Sequence, residues 1–211
     1  MAWSLEDFRT KSLSLKKQVN VTVTGFGLNN APWNRQAVVL GDTYDIVDYG
    51  KGPAGTAMVA SETGHQITVN GARGTGGNAY LLPWAPNAMC IGEMQQAHDL
   101  FFTYRLNGCG VIISGGRCNP TVVHANTKSD AIPVTHDMQA MTSSYRNIYQ
   151  AMASHLATLG IVDPSSSRLF VPGDHGYVGL AAVFGARSGG KWTFYATIGG
   201  TGAATTVQIW P

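Results

Sequence analysis

DLFFTYRLNGCGVIISGGRCNPTVVH, residues 99–124, alternates apolar runs with turn residues. Asn107-Gly108 separates two of these runs and favours a tight reversal between strands, because this dipeptide tolerates positive φ. Such a reversal would hold Cys109 at the end of a strand. His124 closes the next β-rich run, so a returning neighbour strand could bring its imidazole beside the thiol. The segment therefore predicts both sheet structure and a Cys/His pair.

The composition limits the domain organisation and the partners. With 211 residues and 44% hydrophobic content, we predict a single domain covering residues 1–211. Only 12% of the residues are charged and the formal net charge is +2, which argues against nucleic acid or an acidic membrane surface as a partner. No apolar run approaches the roughly 20 residues of a membrane span, and the N-terminus lacks the apolar core of a signal peptide. We expect no nucleic-acid or membrane partner.

Short apolar runs bounded by Gly, Asn, Pro and Asp predict strands along most of the chain. Outside residues 99–124 they cover 19–24, 36–40, 44–47, 56–60, 66–69, 79–84, 169–171, 177–186, 191–197 and 205–210. Their close spacing in the first third predicts antiparallel sheet there. Ser188-Gly189-Gly190 predicts a hairpin turn late in the chain.

Two segments predict helices. Ser4 and Asp7 resemble a capping box at the start of a short N-terminal helix. Residues 137–159 carry apolar side chains at three- and four-residue spacing, with Gly160 as terminator. The apolar positions are Met138, Met141, Tyr145, Ile148, Tyr149, Met152, Leu156 and Leu159. We interpret this stripe as core. The predicted fold is α+β: a two-layer mixed β-sandwich flanked by helices, including one long helix near 137–159.

The cysteines and the other histidines give no metal site. Cys90, Cys109 and Cys118 are an odd number without metal spacing, which favours free thiols in a reducing compartment; one disulfide with one free cysteine is the alternative. His136 is predicted to belong to the cap of the long helix, and His175 to a turn without partners at metal spacing. We expect no metal and no cofactor.

A cysteine thiol needs a neighbouring base to become a nucleophile at neutral pH, since its unperturbed pKa is about 8.5. His124 could take the thiol proton from Cys109 and pass a proton to a leaving amine, which opens an amide. Gly108 and Gly110 would let backbone N–H groups turn toward the resulting oxyanion. The structural alternative is a buried cysteine, a structural histidine and an ordinary hairpin turn, and spacing alone favours it.

A resemblance changes this balance. The run 99–109 (DLFFTYRLNGC), with Gly115-Gly116 and His124 after it, resembles the catalytic segment of the Burkholderia lethal factor family of glutamine deamidase toxins. Upstream, Leu-Pro-Trp at 82–84 also resembles that family.

The Leu-x-Gly-Cys core followed by a histidine is similar more broadly to the catalytic domain of cytotoxic necrotizing factor. The similarity spans residues 81–125, and its aromatic-Thr-x-x-Leu-x-Gly-Cys pattern is specific. The resemblance implies that Cys109 is the nucleophile, that His124 is the general base and acid, and that Thr103 orients the imidazole.

Two departures from the family pattern concern the loop around the nucleophile. Asn107 stands where the family usually has Ser or Thr, which bears on the oxyanion hole. The interval from Cys109 to His124 is longer than in the Burkholderia toxin and nearer that of the necrotizing factor, which lengthens a loop.

The role implied for Thr103 conflicts with a simple hairpin at Asn107-Gly108. In such a hairpin Thr103 would pair with Ile112, on the opposite sheet face from Cys109, because side chains alternate along strands. Either the hairpin is wrong, or Thr103 acts through its backbone carbonyl, which would accept the imidazole N–H equally well.

The resemblance implies a toxin-like, virulence-associated deamidase that converts a glutamine of a host protein to glutamate. The targets known in the family are the RNA helicase of translation initiation, whose modification inhibits translation, and Rho GTPases. We expect a monomer that is made in a bacterial cytoplasm and acts in a host cytosol. Which protein and which glutamine are modified lies in loops without transferable residues.

Two rival functions stay open from the sequence. A transglutaminase would use the same thioester and resolve it with a primary amine. A non-catalytic β-sandwich binding module would instead use aromatic side chains as surface platforms, with Trp33, Trp84, Trp192 and Tyr177 as candidates.

Overall fold

Two mixed β-sheets and two helices make up most of the regular structure of the described residues in a computed structural model of the chain. The structure describes residues 4–24, 38–39, 43–50, 54–73, 77–127, 138–199 and 203–211. The predicted α+β composition is confirmed at this level.

The elements follow one another closely along the chain. The helices are α1 (Leu5–Lys11) and α2 (Met138–Thr158), with short 3-10 turns at Ser12–Ser14 and Asp174–Gly176. The strands are β1 (Gln18–Thr24), β2 (Val38–Val39), β3 (Thr43–Asp48), β4 (Ala54–Glu62), β5 (Gln66–Arg73), β6 (Ala79–Leu82), β7 (Ala88–Glu93), β8 (Leu100–Thr103), β9 (Leu106–Asn107), β10 (Gly110–Ser114), β11 (Thr121–Ala125), β12 (Arg168–Phe170), β13 (Leu180–Ser188), β14 (Lys191–Ile198) and β15 (Thr205–Trp210).

The strands form two sheets whose order differs from chain order. The first sheet runs β1-β5-β4-β6-β8-β13-β14-β15, and β9 also pairs with β13. The second sheet runs β12-β10-β11-β7-β3-β2. The predicted hairpin at 188–190 is confirmed, since Ser188 pairs with Lys191 and both intervening glycines have positive φ.

The strand predictions need two corrections. The first third is not uniformly antiparallel, because β1 pairs parallel with β5 although β4 and β5 are antiparallel. β7 was not predicted, yet it lies at the centre of the second sheet, between β11 and β3. Parallel partners are joined by long crossovers, so close spacing along the chain does not reveal them. Of the predicted strand 36–40, only Val38 and Val39 lie within the described residues.

The long helix is confirmed over Met138–Thr158, and Asp137 and His136 lie outside the described residues. Gly160 terminates it with φ +72°: its N–H bonds the carbonyl of Ala157, and the N–H of Ile161 bonds that of Leu156. These two bonds form a Schellman motif. Leu159, predicted as core, is 36% exposed because it follows the last helical turn.

α1 begins with the predicted capping box. The Asp7 N–H bonds the Ser4 hydroxyl, and the Asp7 carboxylate accepts from the Ser4 N–H. Phe8 is fully buried and lies edge-to-face against Phe102 and Phe184 of the first sheet, with ring centroids 5.4 Å away in each case. α1 thus covers one face of that sheet.

Three buried clusters pack the sheets and helices against one another. One cluster contains residues of both sheets, such as Phe101 and Val183 of the first and Val111 and Val122 of the second. Another joins α2, through Met152 among others, to the outer face of the second sheet. The third lies under α1. Because the second sheet is covered on both faces, β10 is buried along its whole length and shows no alternation in its sequence.

No helix among the described residues is both long and apolar enough to cross a membrane.

Candidate active site

Cys109 lies where the chain passes from the first sheet to the second. β9, which ends at Asn107, pairs with β13 of the first sheet, whereas β10, which begins at Gly110, pairs with β11 and β12 of the second. Gly108 lies between them with φ +80°, a conformation that glycine adopts without strain. The predicted Asn107-Gly108 hairpin is wrong. The strand before Gly108, β9, pairs with β13 and not with β10.

Two tyrosine hydroxyls fix this crossing. Tyr149 of α2 donates to the carbonyl of Gly108 at 2.6 Å, and Tyr177 donates to the carbonyl of Cys109 at 3.1 Å. A Cβ at Gly110 would approach the Tyr149 ring to 3.0 Å, so a larger residue would push the ring away. The backbone that carries the thiol is therefore held on the side of α2.

Thr103 and His124 meet across the two sheets. Phe101 of β8 faces the second sheet, and strand alternation puts Thr103 on that same face. The Thr103 hydroxyl lies 2.7 Å from His124 Nδ1 and 2.8 Å from the carbonyl of Leu82. A hydroxyl has one proton, and a carbonyl can only accept it, so Thr103 donates to Leu82 and accepts from Nδ1–H. The imidazole is therefore bonded by the Thr103 hydroxyl, and the backbone carbonyl of Thr103 is not required for this contact.

This contact determines the tautomer of His124. With the proton on Nδ1, Nε2 carries the free lone pair and is the basic nitrogen. His124 is 1% exposed, and its Nε2 makes no hydrogen bond within the described part of the chain. Burial alone lowers the pKa of His124 to about 3, so the imidazole is neutral at physiological pH.

Strand register places Cys109 and His124 on the same face of the second sheet. His124 pairs with Val111, and Gly110 pairs with Ala125, so Cys109 lies diagonally across from His124. Diagonal neighbours have Cα atoms roughly 7–8 Å apart and remain within side-chain reach. The sulfur is not hydrogen-bonded to Nε2. The structure therefore brings the two residues to one place without the direct bond.

The Cys109 sulfur has another partner. The side-chain amide of Asn126 donates to Sγ at 3.1 Å. Burial raises the pKa of the Cys109 thiol, while the hydrogen bonds from Asn126 and from the backbone of Asn107 act in the opposite direction. The thiol is 4% exposed and remains protonated in the resting protein.

Cys109 lies in the wall of a cleft of about 470 Å³. The described residues that line the cleft are Asn20, Val21, Thr22, Trp84, Tyr104, Arg105, Asn107, Cys109 and Asn126. Of these, Arg105 alone carries a charge. Trp84 is 41% exposed and meets Tyr104 edge-to-face, with ring centroids 6.4 Å apart. A cleft of this size has room for one or a few side chains, and Cys109 is part of its wall.

A second cavity, of about 300 Å³, adjoins the first. Asn107 and Asn126 line both cavities, and Gly108 and Tyr145 line only the second. The two asparagines therefore lie between the neighbouring cavities, the second of which reaches Tyr145 of α2.

The aromatic platforms of the binding-module hypothesis are only partly exposed. Trp192 and Tyr177 are fully buried, so they are wrong as surface platforms: Trp192 packs in the core between the sheets, and Tyr177 holds the Cys109 carbonyl. Trp84 is exposed at the cleft, and Trp33 lies outside the described residues.

All three cysteines lie in the described part of the chain and are free thiols, as predicted. Cys90 and Cys109 are buried and Cys118 is exposed. Among the described residues, no group of three or more His, Cys, Asp or Glu side chains could hold a metal ion.

Several residues around the thiol were not found by sequence reasoning. Asn126 is two positions after His124, so period-two alternation would have placed it on the same sheet face. Tyr149 was predicted only as core, and its hydroxyl bond to a distant carbonyl has no local pattern. Cys90 is directly opposite His124, but it lies in β7, the strand that was not predicted.

No protein-family model matches the chain, and no curated protein matches its sequence.

The arrangement supplies a protonated thiol in a cleft, a neutral imidazole with a fixed tautomer on the same face, and amide donors around the sulfur. These are the components of nucleophilic attack on a carbonyl compound. No acidic side chain lines the cleft among the described residues, so the cleft favours neutral or anionic groups.

Proposed function

We propose that this protein is a cysteine-dependent protein deamidase that converts a glutamine side chain of a host protein to glutamate and releases ammonia. The observation that carries the proposal is the hydrogen bond from His124 Nδ1 to Thr103, which leaves Nε2 as a base on the face that carries Cys109. A purely structural histidine would be expected to use both nitrogens, since buried polar groups are normally bonded.

Glutamine enters the cleft with its carboxamide against the sulfur. Cys109 attacks the carboxamide carbon while its proton passes to His124 Nε2, so the S–C bond forms and the carbonyl electrons move to oxygen. Both groups are neutral at rest, because burial raises the pKa of the thiol and lowers that of the imidazole. Proton transfer therefore accompanies attack, and the short contact between Sγ and Nε2 forms in the substrate complex.

The tetrahedral intermediate collapses when Nε2 returns the proton to the amide nitrogen. The C–N bond breaks, ammonia leaves, and a thioester remains on Cys109. A water molecule then loses its proton to Nε2 and attacks the thioester carbon. The products are the glutamate carboxyl group and the free thiol, so the cycle consumes only water.

Backbone N–H groups at Asn107, Gly108 and Gly110 are the proposed donors for the oxyanion. Tyr149 and Tyr177 keep this backbone in one conformation by bonding the carbonyls of Gly108 and Cys109. Such preorganised donors are effective because they need no rearrangement during the reaction.

The proposed context follows the resemblance. The two sheets would be the layers of a mixed β-sandwich flanked by the helices, and the chain would act as a monomeric, toxin-like enzyme. It would be made in a bacterial cytoplasm and act in a host cytosol, on a target such as the translation-initiation RNA helicase or a Rho-type GTPase. A glutamate in place of glutamine adds a negative charge, which is enough to disable a binding surface.

The test compares host-cell lysates treated with wild type, Cys109→Ser and, as a matched control, Cys118→Ser. Mass spectrometry should find peptides with a glutamine-to-glutamate change for wild type and Cys118→Ser, and none above background for Cys109→Ser. Identical peptides in all three samples would remove the proposal.

A primary fluorescent amine added to the same lysates separates the rival reactions. Deamidation predicts ammonia release that exceeds amine incorporation, whereas dominant incorporation would identify a transglutaminase. A biological effect that survives Cys109→Ala would favour the binding module over both enzymes.

A further inference from the structure

Asn126 is held in one orientation by three hydrogen bonds. Its backbone N–H bonds the carbonyl of Ala88 at 2.9 Å, and its Oδ1 accepts from the N–H of Asn87 at 2.9 Å. Because Asn87 contributes a donor, the side-chain oxygen of Asn126 must face it. The NH₂ group therefore points at the Cys109 sulfur, 3.1 Å away, and does not depend on an arbitrary choice of amide orientation.

Among the described residues, no charged group donates a hydrogen bond to the sulfur. His124 is neutral and makes no bond to Sγ. Cys90, whose pKa burial raises to about 12, is also neutral. The tyrosines that interact with Cys109 all have pKa values raised by burial; they are Tyr145, Tyr149 and Tyr177.

The cation at the cleft, Arg105, has no hydrogen bond to the sulfur. Among the described side chains, the one that donates to Sγ is that of Asn126.

We propose that Asn126 is a catalytic residue whose side-chain amide donates a hydrogen bond to the Cys109 sulfur and stabilises its thiolate form. The proposal deepens the deamidase function and rests on it for its catalytic meaning. A hydrogen bond to a charged acceptor is stronger than one to a neutral acceptor, so the bond gains strength as the thiol loses its proton to His124.

Asn126 thus lowers the free energy needed to transfer the Cys109 proton to His124 in the first step. The amide neither gains nor loses a proton, so it can act in every turnover.

The test measures the pH dependence of Cys109 alkylation by iodoacetamide, which reports thiolate formation without any substrate protein. All variants carry Cys118→Ser to remove the exposed thiol, and mass spectrometry of the Cys109 peptide excludes Cys90. Asn126→Asp is the main variant, because a carboxylate oxygen still accepts from Asn87 but no amide donor faces the sulfur. Asn126→Ala removes both bonds, and Asn147→Asp, an exposed position on α2, makes the same chemical change elsewhere.

Asn126→Asp should raise the apparent pKa of Cys109 alkylation by about one unit or more, which slows alkylation at pH 7.5 by about tenfold. Asn126→Ala should shift the profile in the same direction by less, and Asn147→Asp should match the parent protein. A parent-like profile for both Asn126 variants, with a native near-UV circular dichroism spectrum, would overturn the proposal. Absence of Cys109 alkylation in the folded parent protein up to pH 10 would overturn it as well.

The deamidation rate of the same variants tests separately whether Asn126 contributes to catalysis. If the pKa of Cys109 shifts and deamidation also falls about tenfold, both proposals hold. If the pKa shifts while no protein, including the parent, deamidates any glutamine, the deamidase proposal fails and the support of the thiolate by Asn126 stands.

Discussion

His124 has a buried cysteine on two sides, and the two cysteines differ in their access to solvent. Cys90 of β7 is directly opposite His124 of β11. It is 0% exposed, and burial raises its pKa to about 12. Cys109 lies diagonally from His124, immediately before β10, and lines the cleft with an amide donor against its sulfur. Proximity to the imidazole is therefore not what distinguishes the two thiols. The difference is that Cys109 lines a cleft and accepts a hydrogen bond from a side-chain amide, whereas Cys90 is fully buried and has a backbone partner at Ala85.

The largest expected effect separates the two cysteines. Cys109→Ser should lower deamidation at least about 10³-fold, because a serine hydroxyl lacks the nucleophilicity of a thiol in this setting. Cys90→Ala should keep the activity within a few-fold and lose about 1 kcal/mol of stability, since it removes only a small buried group. Rates come from quantitative peptide mass spectrometry, and stabilities from urea unfolding. A dead Cys90→Ala beside an active Cys109→Ser would reverse the assignment.

The next effect concerns the imidazole between them. The pKa of His124 is about 3 in the folded chain and about 6.5 when unfolded, so the unfolded chain binds more protons between these values. Stability is therefore full above about pH 6.5 and is lost as the pH falls toward 3. As the pH falls from 7 to 4, His124 should lower the free energy of unfolding by about 3 kcal/mol.

Urea unfolding at a series of pH values measures that loss. His124→Asn, which keeps an amide donor near the Thr103 hydroxyl, should flatten the dependence. An unchanged pH dependence in this variant would mean that folding does not lower the pKa of His124.

A smaller effect tests which atom of Thr103 orients the imidazole. Thr103→Val keeps the shape and removes the hydroxyl, so Nδ1–H loses its acceptor. We expect kcat to fall about 10²-fold and stability to fall by about 1–3 kcal/mol, because a buried donor is left without a partner. Thr103→Ser should restore most of the activity. If Thr103→Val retains full kcat, the hydroxyl does not position His124.

The smallest effect concerns the tyrosine that holds the crossing on the Cys109 side. Tyr149→Phe removes the 2.6 Å bond to the Gly108 carbonyl and keeps the ring against Gly110. We expect a loss of about 1 kcal/mol in stability and a few-fold lower kcat. Thermal unfolding and steady-state rates measure both quantities. A kcat equal to that of wild type would show that the crossing holds its conformation without this bond.

Local patterns predicted the elements whose causes are local. The apolar stripe of α2, its stop at Gly160, and the Ser4–Asp7 cap all depend on residues within a few positions of one another. The hairpin at 188–190 is of the same kind.

The incorrect predictions depended on distant partners. Asn107-Gly108 has the local pattern of a hairpin, but Leu180 and Ala181 of β13 pair with β9 and override it. β7 lacks the β-branched run that marks a strand, and it is held by β11 on one side and β3 on the other. Sequence spacing contains no information on such contacts.

The candidate site divides in the same way. The motif gave Cys109, His124 and Thr103, and the structure brings them to one place, but the choice between hydroxyl and carbonyl at Thr103 required the position of Leu82. Asn126 could have been found from the alternation that begins at His124. The roles of these residues stay predictions until the variants are measured.

Thr103 belongs to one sheet, His124 to the other, and Cys109 to the connection between them. Neither sheet alone contains all three residues. Under the deamidase proposal, activity would require the two sheets to be packed together, because the three groups come from both of them. If the proposed deamidase activity is correct, a chain whose two sheets are apart would lack it.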